Sequence, residues 1–231
     1  CTINDIVRFL SGKGINISRG TVIWNVNESV LRGKAIRVGR GVYSFTPKPI
    51  FEPKLGVSAL KAIDALRKNL KYLDLVITDT GGLGQFMNLL PFSSLIVIEV
   101  RKQSVGAVVS NLRKKGIEAI EKTDYVSLEK YIESNEPVVV RSILSVNPPL
   151  KKGHGITIAS LEKMLVDIVC DAGIYGQYQG EELVGIYRNA TDRYAINYSR
   201  MLRYASGRKR KPDVTAILSE TDEYRKVRDL L

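Results

Sequence analysis

Histidine, cysteine and long apolar runs are what this 231-residue chain has least of. Its two cysteines, Cys1 and Cys170, make no disulfide framework, which points to a reducing cytoplasm. With one histidine they cannot close a zinc site without carboxylates, and no cluster has metal-ligand spacing, so no metal or cofactor is expected. That histidine, His154, sits between glycines in a lysine-rich loop and reads as a solvated residue. No apolar run approaches the ~20 residues needed to span a bilayer, and the N-terminus has no secretory pattern. A cytoplasmic protein with no membrane association is expected.

Charge is what the chain does have. The formal net charge is +11, which favours polyanionic partners. Residues 1–50 hold eight Lys/Arg against only Asp5 and Glu28, a net of +6 in the first 50 residues. Arg193 to Lys211 adds seven basic residues and no acidic one. The two basic zones therefore lie near opposite ends of the sequence.

The first zone contains SRGTVIWNVNESVLRGKAIRVGRGVYSF, residues 18–45. Ser18 is placed to cap a helix running to about Arg32. Val22, Val26 and Val30, with Ile23 beside them, make its packing stripe, while Thr21 and Trp24 fall opposite with Asn25 at the margin. Gly33 ends the helix, and Lys34–Val38 and Gly41–Phe45 can pair as a hairpin around Gly39-Arg40-Gly41. A polar helix start, a helix and an arginine-tipped ribbon are the parts with which a winged helix-turn-helix enters DNA. A shorter amphipathic helix is expected over residues 2–11.

The segment 46–53 carries three prolines and reads as an extended linker. Beyond it, helices and strands alternate. Strands are expected at Leu73–Thr78, Ser94–Val100, Ile117–Ile120, Val138–Val140 and Ile156–Ile158. Helices are expected at Val57–Leu70, Leu83–Leu90, Val105–Lys115 and Leu128–Ser134, then at Ser160–Cys170, Gly180–Asn189 and Tyr194–Ala205. This predicts a mixed α/β fold in three parts: a winged helix over 1–48, a linker over 49–56, and a larger α/β domain with a helical end over 57–231.

Catalytic motifs are weak. Gly81-Gly-Leu-Gly84 follows a strand but lacks the Gly-Lys-Ser/Thr ending of a phosphate loop, so it reads as a glycine turn. The best enzymatic alternative is a metal-dependent nuclease with a restriction-endonuclease-like core, using Asp79 and Glu99 at adjacent strand ends. There Arg101 stands where a lysine is wanted, and a guanidinium is a poor proton acceptor. In the second basic zone, Arg200 and Arg203 sit one turn apart with Tyr198 and Tyr204 interleaved. Arg208, Lys209, Arg210 and Lys211 follow as a basic tail, either solvated or lying along a phosphate backbone.

With these residues in view, the chain resembles the AbiEi-type antitoxin and transcriptional-regulator family. The resemblance rests on residues 18–45, on Leu90-Pro91-Phe92 leading into Leu95–Val100, on Ile158–Asp167, and on Asn197–Tyr204. It implies an operator-binding repressor, with double-stranded DNA and a nucleotidyltransferase-type toxin as partners and no catalytic residue. Ser18, Arg19, Thr21, Trp24 and Asn25 would then lie at the major groove, and Arg37 and Arg40 on the wing against phosphate or minor groove. One departure is that a winged helix usually has a helix before residues 2–11. Either the chain is cut short there or another element replaces that helix. A monomer or weak dimer on DNA is expected, and an interaction protein that neutralises a toxin directly is the remaining alternative.

Overall fold

Thr2 starts the first helix with a reciprocal cap: its hydroxyl accepts from the Asp5 amide at 3.2 Å, and the Asp5 carboxylate accepts from the Thr2 amide at 2.7 Å. Helix α1 (Ile3–Gly12) leads through a turn to α2 (Arg19–Leu31), where Ser18 Oγ accepts from the Thr21 amide at 3.1 Å. Strands β1 (Ile36–Gly39) and β2 (Val42–Ser44) then pair antiparallel, with Gly41 at φ +73° making the turn. The chain start joins this ribbon: Thr2 bridges antiparallel to Val42, and the Tyr43 amide donates to the Cys1 carbonyl at 2.8 Å.

This computed structural model describes residues 1–32, 34–45, 48–69, 73–88, 94–121, 138–143, 147–153 and 156–231. After the ribbon come α3 (Val57–Asn69), β3 (Leu75–Asp79), β4 (Ile96–Val100), α4 (Val105–Lys114), β5 (Ala119–Glu121) and β6 (Val138–Ser142). Then follow β7 (Leu150–Gly153), β8 (Ile156–Ala159), α5 (Leu161–Cys170), α6 (Glu181–Arg193), α7 (Tyr198–Gly207), α8 (Lys211–Ser219) and α9 (Asp222–Arg225). The sheet order is β5-β6-β4-β3-β8-β7, with β3–β4 and β7–β8 antiparallel and the other neighbours parallel. The fold is mixed α/β, as expected. Among the described residues, no helix is long and apolar enough to cross a membrane.

Alternation along the strands separates two faces of the sheet. Ile77, Ile96, Ile98 and Val140 pack under Ala62, Ile63 and Leu66 of α3 and Val108 and Leu112 of α4. Val97 and Val139 face the other way, into a larger core with Leu165 and Ile168 of α5, Tyr187 of α6 and Met201 of α7. The ribbon also has two faces. Tyr43 packs with Ile3, Val22 and Val26 under α1 and α2, whereas Val38 and Val42 belong to the larger core.

The segment expected as a linker is seated on this body. The Pro49 carbonyl accepts from the Ala195 amide at 3.0 Å, and Lys48 donates to the Thr191 carbonyl at 2.8 Å. Phe51 is buried edge-on against Tyr194, with ring centroids 5.2 Å apart. Phe51 anchors the segment to the body.

The strands expected near residues 75, 96, 119, 138 and 156 are all present. The helix expected over Leu83–Leu90 is instead a 3-10 turn, Thr80–Phe86. The one expected over Leu128–Ser134 and the loop of His154 lie outside the described residues.

Candidate nucleic-acid interface

The outer face of α2 is set by the stripe that anchors its inner face. Val22 and Val26 are buried, which turns Thr21, Trp24 and Asn25 to solvent, while Arg19, on the valine side by its spacing, is exposed as the first residue of the helix. Trp24 is 62% exposed, a large apolar ring left uncovered within the chain. Ser18 is occupied by capping, and its hydroxyl also meets Thr21 Oγ1 at 2.9 Å. Asn25 Nδ2 donates back to the Thr21 carbonyl at 3.0 Å, which ties that amide to its own helix. Trp24 is therefore the large uncovered side chain of that face, and Arg19 is exposed about 140° round the helix from it.

The two basic zones meet at the ribbon. Arg37 lines a cavity of about 210 Å³ together with Arg200 and Lys151. At the ribbon tip the Arg40 amide donates to Ser199 Oγ of α7 at 3.1 Å. The approach is close enough that a Cβ on Gly39 would run into the Leu231 side chain and stand 3.0 Å from Ser199 Oγ. Arg203 lies one turn beyond Ser199 on α7 and is exposed, as are Lys209, Arg210 and Lys211. The side chains of Arg37 and Arg40 are exposed too.

The run from Arg208 to Lys211 is not a tail. It is the corner between α7 and α8, where Lys209 takes φ +57° and Lys211 opens α8 ahead of Pro212. Arg210 is paired with Asp213 at 2.8 Å across exposed surface. Arg208 turns inward, and this removes it from the expected phosphate contacts. Its guanidinium donates to Asp167 Oδ1 at 2.6 Å and to Asp171 Oδ2 at 2.7 Å.

There it completes a buried network of three cations and three carboxylates. Arg141 Nε donates to Glu99 Oε1 at 2.7 Å and Nη1 to Asp171 Oδ2 at 2.6 Å. Lys163 pairs with Glu99 Oε2 at 2.8 Å and with Asp167. Tyr204 donates its hydroxyl proton to Asp167 Oδ1 at 2.8 Å. Burial pushes the Asp167 carboxyl up, but Lys163, Arg141 and Arg208 outweigh it and hold the carboxyl below its usual range. Burial likewise works against the Arg141 charge, and Tyr175, Glu99, Asp167 and Asp171 hold it protonated well above its ordinary value.

The Asp79–Glu99 pair is not assembled. Because β3 and β4 run antiparallel, Asp79 stands opposite Ile96 while Glu99 stands opposite Val76, three positions away and on the other face of the sheet. Asp79 spends both carboxylate oxygens on backbone, accepting from the Gly56 amide at 2.7 Å and the Gly81 amide at 2.9 Å. Arg101, two residues after Glu99, pairs with Asp74 at the surface at 3.1 Å. The glycines after Asp79 form a packed turn: a Cβ on Gly82 would meet the Phe51 ring at 3.1 Å.

Sequence reasoning missed Ser199, Arg228 and Tyr224, which border the exposed cations on the body. Ser199 and Arg203 are spaced i, i+4 and so share a face of α7, a signal present in the sequence. Arg228 follows a four-residue helix too short to read from periodicity.

No curated protein and no solved structure matches the chain. Residues 21–224, from the start of α2 to α9, match DUF6577, a family of unknown function, and the chain belongs to that family.

Proposed function

We propose that the chain is a sequence-specific, duplex-DNA-binding transcriptional regulator, with residues 1–45 acting as a winged helix-turn-helix. The observation that carries this reading is the combination of an uncovered Trp24 on the outer face of α2, Arg19 exposed at the start of the same helix, and a ribbon whose arginines adjoin the basic zone of the body. In the reading, α2 enters the major groove, where Arg19 makes the discriminating contact with base edges. The ribbon meets phosphate or minor groove through Arg37 and Arg40. Arg203, Lys209 and Lys211 grip backbone beyond it, where cations supply affinity with little sequence information. The strand-like start at Cys1–Thr2, paired to the ribbon, supports the same reading, because it adds a third strand of the kind a winged helix uses.

The AbiEi resemblance extends the proposal to an autoregulating antitoxin in the cytoplasm whose partner is a nucleotidyltransferase-type toxin. Co-expression with the product of a neighbouring nucleotidyltransferase gene tests that extension. Rescue of growth supports it, and undiminished toxicity sinks it.

DNA binding itself is tested by selecting duplexes from a random pool and titrating the winner by fluorescence anisotropy. With about six phosphates neutralised, affinity should fall roughly a thousandfold between about 50 and 200 mM salt. No enrichment of any sequence, or binding flat across that range, would overturn the proposal.

A further inference from the structure

Behind the ribbon tip, α7, α8, α9 and the residues after it border an open cleft of about 530 Å³. Among the described residues three cations line it, Arg203, Lys211 and Arg228, and no Asp or Glu side chain does. Arg203 and Lys211 have no ion-pair partner among the described residues. Among the described residues Arg228 has only Asp229, at 3.5 Å, and both of those side chains are more than half exposed, so the pair neutralises little. Ser199, Ser206 and Thr215 add hydroxyls to the same walls. Leu202 and the Tyr224 ring add apolar surface, and Tyr224 is fixed edge-on against Tyr198 with centroids 5.3 Å apart.

We propose that this cleft binds a small phosphorylated molecule of nucleotide size, with its phosphates on Arg203, Lys211 and Arg228 and its ring or apolar part toward Leu202 and Tyr224. Two unpaired cations and a third that is only weakly paired suit a ligand of two or more negative charges, and the hydroxyls match the surplus oxygens of phosphate. Size favours a small molecule over a single backbone phosphate. The recess falls within the ~300–1,000 Å³ of small-molecule sites, and it combines polar groups with an apolar wall as such sites do. A duplex reaches exposed cations such as Lys209 without entering a recess. The site does not rest on the DNA reading, although it shares Arg203 and Lys211 with it.

Isothermal titration of the full chain with ATP and with inorganic pyrophosphate, without divalent metal, tests the proposal. ATP should saturate a single site, and pyrophosphate should bind the same site more weakly for want of the ring. The variant Arg203→Ala/Lys211→Ala/Arg228→Ala should lose at least tenfold in ATP affinity, with its circular dichroism and melting unchanged. Thr215→Val, which keeps every cation, should lose affinity to a smaller extent. Absence of saturable ATP binding overturns the proposal, even if the triple variant also loses duplex affinity. So does an unchanged titration by the triple variant, which would put the anion elsewhere.

Discussion

Asp167 shows how much of this molecule turns on single side chains. Its carboxylate faces Lys163, Arg141 and Arg208 together and also accepts the Tyr204 hydroxyl, all out of water. Neutralising it leaves three buried cations with two carboxylates, Glu99 and Asp171. Asp167→Asn is expected to cost about 3–5 kcal/mol in urea unfolding, the range for breaking a buried ion pair from one side. Because the folded carboxyl titrates below its unfolded value of about 3.8, its stabilisation is complete above that value and is lost as pH falls through the folded one. The urea midpoint should therefore hold from about pH 8 to pH 5 and drop below about pH 4, and Asp167→Asn should drop less. Trp24 is the opposite case. Being 62% exposed, it contributes little to the core, so Trp24→Ala should change stability by no more than about 0.5 kcal/mol. If α2 is the reading helix, Trp24→Ala and Arg19→Ala each weaken the selected duplex, Arg19→Ala by roughly 1–3 kcal/mol with relaxed sequence preference. Loss of fold in either variant would show that this face is structural.

At the level of elements, what was legible in the sequence were those whose partners are near in the chain. The valine stripe and the Ser18 cap define α2, and β-branched runs define β3, β4 and β6, because period and capping are local properties. What was not legible depends on distant partners. Leu150-Lys-Lys-Gly153 has no alternation, yet it forms β7 because β8 offers an edge to pair with. Arg208 sits in a basic run, and nothing nearby says that Asp167, 41 residues earlier, will draw it inward. The role of Glu99 likewise waits on Arg141, 42 residues later. The ribbon carries the largest consequence. Since Val38 and Val42 belong to the body's core, and Phe51 with them, residues 1–52 alone would expose all three. What remains is a small cluster around Ile3, Val22, Val26 and Tyr43, little for a chain of that length to fold on. A fragment ending at residue 52 should lack a cooperative thermal transition and should not bind the duplex. A sharp melt from that fragment would show that the N-terminal unit is an independent domain after all.

For the molecule as a whole, the ribbon tip and the proposed anion cleft share a wall. Ser199 accepts from the Arg40 amide and also lines the cleft, and Leu231 lies against Gly39 and lines it too. A ligand in the cleft would neutralise Arg203 and Lys211, the cations that the DNA reading assigns to backbone phosphate, so the two polyanions should oppose each other. Binding linkage makes that opposition reciprocal: whatever factor the small ligand takes from duplex affinity, the duplex must take from the ligand. Saturating ATP is expected to weaken the selected duplex by about tenfold, near 1.4 kcal/mol and within the usual range of such couplings. Titrating ATP into the preformed complex should return the same factor. Simple competition of ATP as a salt is separated by the variant Arg203→Ala/Lys211→Ala/Arg228→Ala. It should bind the duplex more weakly from the outset, and added ATP should weaken it no further. If ATP weakens duplex binding equally in the variant and the parent chain, the effect is general screening and the two surfaces are not coupled. If ATP binds the parent chain yet leaves duplex affinity unchanged, the cleft and the DNA surface act separately, and Arg203 and Lys211 belong to the small ligand alone.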